Sequence, residues 1–138
     1  MTEKTLLLTS DAAALESLRN RLRLLLKNGG FTAKSQESIL LAVGEGVTNA
    51  IRHSYGGEPG HEIRVGVEDL GDRMVFKIQD DGRKIDLTQL KTPQLPPKRG
   101  GGLGVYLIKT VVDKMEYNTD RPRGNELILT QYKDEKAA

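Results

Sequence analysis

The sequence predicts an α+β fold, a two-layer sandwich in which helices cover one face of a mixed, mainly antiparallel sheet. Two observations support this prediction. Two segments in the first half carry apolar residues at helical spacing, and segments in the second half alternate apolar and polar residues as paired strands do. Because no repeat and no change in composition divides the 138 residues, we expect one domain over 1–138.

The first half is expected to contain one strand and two helices. Residues 4–9 hold three leucines between threonines and favour a short strand. Ser10 or Asp11 can cap a helix that runs to about residue 27, where an Asn-Gly-Gly sequence ends it. A second helix is expected over 33–54, followed by two glycines and a proline that stop it.

The second half is expected to supply most of the sheet. Residues 63–68 alternate apolar and polar side chains, which predicts a half-buried strand. Gly71 and Asp72 then turn the chain into a second strand over 74–80, so we expect an antiparallel hairpin. Residues 86–99 show no regular period. The remaining predicted elements are a helix over 105–112 and strands over 115–118 and 127–132.

Composition excludes several classes of function. With 37% hydrophobic and 29% charged residues the chain is typical of globular proteins, and a net charge of +2 gives no support to nucleic-acid binding. The absence of cysteine excludes disulfides, thiol nucleophiles and thiolate metal sites, and the two histidines, His53 and His61, exclude a multi-histidine metal centre. No apolar run is long enough to span a membrane, so we expect a soluble, cytoplasmic protein. Three arginines are interpreted as a solvated helix face: Arg19, Arg21 and Arg23.

Polar residues on the second helix suggest a metal site. Glu45, Asn49 and His53 are four residues apart and therefore share one helix face. Such a face is often only solvated. However, Gly44 and Gly46 flank the glutamate, and each costs a helix about 0.5–1 kcal/mol relative to alanine. We infer that something approaches this backbone closely. An acid and an amide on one face are suitable oxygen ligands for Mg²⁺, which also binds water and nucleotide phosphates.

Asp80 is the second candidate. Strand parity places it on the same side as Met74, Phe76 and Ile78, which must face the core. A carboxylate there needs a hydrogen-bond donor, because burying it unpaired is costly. The amino group of adenine would be a suitable donor, and Gly82 would leave space for a flat base. A plain Asp-Asp-Gly turn remains an equally good interpretation of these residues.

A glycine-rich stretch before the third helix is the last candidate. Such stretches let a backbone approach phosphate, and a helix N-terminus offers free N–H groups to it. Flexible loops have the same composition, so the stretch alone is a weak signal. It matches neither a Walker loop nor a dinucleotide fingerprint. The stretch comprises Gly100, Gly101, Gly102, Leu103 and Gly104, directly after Lys98 and Arg99.

The order and spacing of these three pieces resemble the GHKL ATPases, which share the Bergerat ATP-binding fold. Segment 45–53, Glu-Gly-Val-Thr-Asn-Ala-Ile-Arg-His, looks like their N-box. Segments 80–82 and 102–104 look like their first and second glycine boxes. In its short length and in the residues of segment 45–53, the chain most resembles the bacterial anti-sigma factor serine/threonine kinases. The resemblance covers nearly the whole chain.

The resemblance implies a role for each matching residue, with ATP and Mg²⁺ as cofactors. Asn49 would ligate Mg²⁺, and Glu45 would act as general base on an incoming hydroxyl. Asp80 would bind the adenine amino group, with Gly82 beneath the ring. Arg99, one residue further upstream than usual, would lie near the γ-phosphate. The phosphates would be contacted by the segment that holds Lys98, Gly100, Gly101, Gly102, Leu103 and Gly104.

Two positions depart from the family pattern. Lys84 stands where the first glycine box normally has another glycine. The conformation of the turn beside the base is therefore not fixed by the family pattern. Asn125 follows Gly124 where a threonine normally supports adenine binding, and its polar side chain could replace the hydroxyl contact. ATP affinity is therefore an open question at the sequence level.

The function implied by the resemblance is an ATP-dependent protein serine/threonine kinase that acts as an anti-sigma factor. Its substrate would be a STAS-domain anti-sigma factor antagonist, its other partner a sigma factor, and it would form a homodimer. Two alternatives stay open. One is a nucleotide-binding module that sequesters regulators without phosphorylating them. The other is a histidine-kinase catalytic domain, which we expect less because neither His53 nor His61 lies in a suitable dimerisation helix.

Overall fold

A five-stranded sheet forms one layer of the molecule, in the order β1-β2-β3-β5-β4. The structure is a computed structural model that describes residues 2–86 and 103–134, with the backbone alone at residues 2 and 103–106. Every neighbouring pair of strands in these ranges is antiparallel, so the described sheet is antiparallel throughout rather than mixed. The strands are β1 Thr2–Thr9, β2 Glu62–Asp69, β3 Arg73–Asp80, β4 Lys114–Tyr117 and β5 Asn125–Tyr132.

Helices form the second layer, as the sequence predicts. The helices are α1 Ala14–Leu26, α2 Ala33–Asn49 and α3 Leu103–Val111, and a π-helical turn, Ala50–Ser54, continues α2. Alternate residues of β2 and β3 are buried, and they join the apolar sides of α1 and α2 in one core. The α+β prediction is therefore confirmed. No helix in the described ranges is long and apolar enough to cross a bilayer.

Neither of the two predicted capping residues is the N-cap of α1, which is Ala13 and has no side-chain cap hydrogen bond. Asp11 Oδ1 accepts a hydrogen bond from Ala13 N at 3.0 Å. Ser10, which is buried, instead donates to Glu58 O at 2.7 Å and accepts from His61 N at 2.9 Å. Ser10 thus ties the beginning of α1 to the loop that leads into β2.

The second helix does not remain α-helical to residue 54. After Asn49 the backbone widens into the π-turn, in which Tyr55 N bonds to Ala50 O at 3.1 Å. The carbonyl groups at the end of this turn are bonded by the segment after β3. Arg83 N donates to Ser54 O at 2.9 Å, and Arg83 Nε donates to His53 O at 2.9 Å. Such π-turns are often found at functional sites.

Candidate functional site

A small cavity lies where the end of α2 meets the ends of β3 and β4 and the start of β5. It brings together Asn49, Asp80 and Asn125, three of the residues singled out in the sequence. The π-turn supplies Ala50 to the same wall, and Ile85 comes from the segment after β3. The full lining comprises Gly46, Asn49, Ala50, Ile78, Asp80, Ile85, Tyr117, Asn125 and Leu127.

Asp80 ends β3 on the core side, and only 2% of its surface is exposed. The burial predicted from strand parity is therefore confirmed. Its Oδ2 accepts a hydrogen bond from Ser54 Oγ at 2.9 Å, and its Oδ1 accepts from Gly82 N at 2.9 Å and from Asn125 Nδ2 at 3.0 Å. Groups of the protein thus satisfy much of the hydrogen-bonding capacity of this buried carboxylate, and a nucleotide base is not needed to explain its burial.

Asn125 holds several backbone and side-chain groups at once. Its Nδ2 donates to Arg83 O at 2.9 Å and lies 3.0 Å from Ser54 Oγ, in addition to its bond with Asp80. Its Oδ1 accepts from Ile85 N at 2.9 Å. Asn125 therefore fastens the segment 83–85 over the end of β3. Direct contact between Asn125 and a nucleotide stays a prediction.

Two glycines permit the main chain to converge at this site. A Cβ atom on Gly82 would lie 2.4 Å from Ser54 O. Gly124 has a φ of 66°, and a Cβ there would lie 1.9 Å from Asp80 O. Glycine is thus required at both positions by contact within the protein. The predicted position of Gly82 beneath a base is neither needed to explain this glycine nor excluded by it.

Glu45 and Asn49 lie one turn apart on the α-helical part of α2, so their side chains share a face. Both residues are partly exposed. Across the described residues neither side chain makes a hydrogen bond or an ion pair, which leaves their oxygen atoms available to a ligand. His53 does not continue this row, because the π-turn breaks the four-residue spacing before it.

The two glycines beside Glu45 have different surroundings. A Cβ on Gly46 would lie 2.6 Å from Ile78 Cδ1 and 3.1 Å from Leu127 Cδ2. A Cβ on Gly44 would have no described atom within 4 Å. The close approach expected from the sequence is therefore real at Gly46, but the approaching group is the sheet of the protein itself.

Lys84 anchors the segment after β3 instead of loosening it. Its Nζ donates to Arg121 O on the turn between β4 and β5. Among the described residues only glycines have a positive φ, so the backbone at position 84 does not require glycine. Next to it, the Arg64 guanidinium donates to both Asp81 oxygens at 3.1 Å and holds the pKa of that carboxyl below its usual range.

Tyr117 and Ser54 belong to the site, although the sequence did not indicate either. Tyr117, at the end of β4, lines the cavity. Burial, aided by the charge of Asp80, raises the pKa of its hydroxyl to about 12. Parity places Tyr117 on the same side of β4 as Met115, but only the pairing with Leu127 brings it to Asp80. Ser54 reaches Asp80 from the π-turn, for which the sequence holds no signal.

The predicted phosphate-binding residues are mostly outside the described residues. This applies to Lys98, Arg99, Gly100, Gly101 and Gly102. Leu103 and Gly104 form the beginning of α3, two residues earlier than the predicted helix start. Their roles stay predictions.

Residues 8–131 match the family described as the histidine kinase-like ATPase domain. The chain belongs to this family. A protein named serine-protein kinase RsbW from Listeria innocua is 31% identical over 115 residues, which cover 78% of this chain and 72% of that protein. A protein of the same name from Oceanobacillus iheyensis is 31% identical over 111 residues, covering 75% and 69%. The resemblance inferred from the motifs is confirmed.

Two solved structures have a similar fold. The RsbU and RsbW domains of a Mycobacterium tuberculosis protein superpose with a TM-score of 0.68 at 18% identity, over 96% of this chain and 32% of that chain. The Acinetobacter baumannii histidine kinase AdeS gives a TM-score of 0.54 at 16% identity, over 98% and 70%. At these identities the comparison supports the fold alone.

Proposed function

We propose that the protein is an ATP-dependent serine/threonine kinase and anti-sigma factor that phosphorylates a STAS-domain antagonist in a partner-switching system. The observation that carries the proposal is the pair Glu45 and Asn49. Their side chains are unpaired within the described part of the chain and share the α2 face whose end borders the Asp80 cavity. The RsbW kinases, related at 31% identity over most of the chain, give the reaction class.

The chain's own groups fit a magnesium nucleotide. Asn49 offers one amide oxygen to Mg²⁺, which would take its remaining ligands from phosphate oxygens and water. Asp80 would accept a hydrogen bond from the adenine amino group, since Oδ2 has only one described donor, Ser54. Bound Mg²⁺ would neutralise phosphate charge during transfer. The protein would contribute mainly positioning and electrostatic stabilisation, as phosphoryl transfer generally requires.

Glu45 would act as the general base. Its carboxylate is unpaired within the described part of the chain, so it could accept the proton of a serine or threonine hydroxyl. That oxygen would attack the γ-phosphorus, the bond to the β-phosphate oxygen would break, and ADP would leave. Arg99 would lie near the transferred group, and a sigma factor and a second copy of the chain would be further partners. We propose a cytoplasmic location for these events.

Phosphate transfer to the antagonist tests the proposal. Purified protein is mixed with its STAS antagonist and γ-labelled ATP, and binding of Mg-ATP is measured separately by calorimetry. Glu45→Gln should retain binding and lose transfer by about 10²- to 10⁴-fold, the usual contribution of a general base. Glu37→Gln, which removes an exposed carboxylate from the same helix, is the matched control and should leave transfer unchanged.

The alternative function is a nucleotide-binding module that sequesters its partners without transfer. Its motivation is the departure from the family pattern at Lys84 and Asn125, whose side chains are bonded within the protein to Arg121 O and Ile85 N. In that case the wild type would bind Mg-ATP and leave the antagonist unlabelled. If the folded wild type gave no heat with Mg-ATP, both functions would be excluded.

A further inference from the structure

We propose that Asn125 is a positioning residue that does not touch the nucleotide. It fixes the Asp80 carboxylate so that one acceptor position on Oδ2 is directed to the amino group of the base. This inference rests on the proposed ATP binding and deepens it, because it assigns the recognition of adenine to a linked set of Ser54, Asp80 and Asn125 side chains.

The first argument is the hydrogen-bonding capacity of Asn125. An amide side chain has two N–H donors and one oxygen acceptor. Its donors face Asp80 Oδ1 at 3.0 Å, Ser54 Oγ at 3.0 Å and Arg83 O at 2.9 Å. Its oxygen accepts from Ile85 N at 2.9 Å, and the residue is only 7% exposed. Both donors are therefore occupied within the protein, so none remains for a ring nitrogen of the base.

The second argument is the uneven occupation of the Asp80 carboxylate. Oδ1 receives two hydrogen bonds, from Gly82 N and Asn125 Nδ2. Within the described part of the chain Oδ2 receives one, from Ser54 Oγ. A carboxylate offers about four acceptor positions, two on each oxygen, so the one left over is on Oδ2. Without Asn125 the carboxylate could turn and present either oxygen.

The third argument concerns charge. The three donors to Asp80 among residues 2–86 and 103–134 are a hydroxyl, a backbone amide and a side-chain amide, all of them neutral. The negative charge therefore stays available to a hydrogen-bond donor on the base, and hydrogen bonds to charged groups are the stronger kind. A ligand with an acceptor at the same place, such as a 6-oxo purine, would be repelled.

The fourth argument links Asn125 to the cavity wall. Ile85 lines the cavity, and its backbone N–H is held by Asn125 Oδ1. Arg83 O is held by the same side chain, so one residue sets both the carboxylate and the segment beside it. A contact that acted on the nucleotide directly would not need these two backbone bonds.

Two nucleotides distinguish positioning from general support of the pocket. ATP carries the 6-amino group, and purine riboside 5′-triphosphate has hydrogen in its place. Calorimetry with Mg²⁺ should show that Asn125→Leu, which removes the polar groups but keeps a side chain branched at Cγ, weakens ATP binding about tenfold, as loss of one hydrogen bond to a charged group predicts. The same variant should weaken binding of the analogue clearly less than binding of ATP, because the analogue does not use Asp80 and loses only the support that Asn125 gives to segment 83–85.

Matched variants complete the experiment. Ser54→Ala removes the donor to Oδ2 and should give the same pattern, which keeps the test valid if Asn125→Leu does not fold. Glu126→Gln changes the next residue of β5, which is equally buried but bonded to Gln79 and Asn118, and should alter neither affinity. If Asn125→Leu and Ser54→Ala weakened the binding of both nucleotides equally, or weakened the binding of neither, the inference would be overturned. Absence of ATP binding by the wild type would instead refute the proposed function.

Discussion

Alanine at positions 44 and 46 of α2 should change stability in opposite directions. At Gly44 the new methyl group meets no described atom, so the variant should gain the helix propensity of alanine, about 0.5–1 kcal/mol. At Gly46 the methyl group would lie 2.6 Å from Ile78 Cδ1 and 3.1 Å from Leu127 Cδ2. Overpacking of this kind costs about 1–3 kcal/mol, which exceeds the propensity gain.

The assay is urea unfolding followed by circular dichroism, and each variant is the control for the other because both add one methyl group to one helix. Gly44→Ala should raise the unfolding midpoint, and Gly46→Ala should lower the free energy of unfolding by a net value of about 0.5–2 kcal/mol. Ile78→Val removes the atom that the new methyl group meets. It should cost about 0.5–1.5 kcal/mol alone and much less in the Gly46→Ala background. Stabilisation by both alanines, or additive costs, would refute the described packing of α2 on the sheet.

Three further perturbations test other parts of the structure. Gly124→Ala should lower the free energy of unfolding by at least about 2 kcal/mol in thermal melts, because it combines a positive φ with a clash against Asp80 O, and full stability would contradict the described turn. The pKa of Tyr117 is raised from 10.0 to about 12 in the folded state, which therefore favours the neutral phenol. This preference contributes up to about 3 kcal/mol to the free energy of unfolding below pH 10, and the contribution should be lost as the pH rises to 12. Tyr117→Phe should show a smaller loss over that window in unfolding measured at each pH, and an unchanged profile would refute the assignment. Lys133 Nζ lies 2.8 Å from Asp69 Oδ1 and lowers the pKa of that carboxyl, so its contribution is present above about pH 4 and is lost as the pH falls further. Lys133→Met should therefore move the acid unfolding midpoint to higher pH, and an unmoved midpoint in acid titration would count against the ion pair.

Much of the fold could be predicted because its signals are local. The alternation in β2 and β3 identified the core face, and the same parity placed Asp80 inside it. The α-helical spacing from Glu45 to Asn49 is likewise set by neighbouring residues of one helix. Patterns of this range depend on the period of the backbone, which sequence displays directly.

The rest of the site depends on contacts between distant segments. Ser54, the last residue of the π-turn, makes two contacts with distant residues. Its hydroxyl donates to Asp80, 26 positions later, and its carbonyl oxygen accepts from Arg83 N, 29 positions later. Asn125 bonds to groups that lie 40 to 71 positions earlier. No periodicity encodes such bonds. From the sequence alone, therefore, a contact between Asn125 and a ligand could not be distinguished from hydrogen bonds of Asn125 within the protein. The same limit applies to Tyr117, which reaches the site only through its pairing with Leu127.

The main chain itself fills the space beside Gly82 and Gly124, which affects how mutational surveys of this family are interpreted. A survey scored by catalytic output would mark both positions as intolerant, next to the proposed site residues Glu45 and Asn49. At the glycines, however, the defect would begin with collision against the carbonyl oxygen of Ser54 or Asp80, before any substrate arrives. Scoring cellular abundance in parallel would separate the two groups, because architectural positions lose soluble protein whereas ligand-binding positions keep it. Intolerance at a glycine box is therefore not by itself a measure of nucleotide contact.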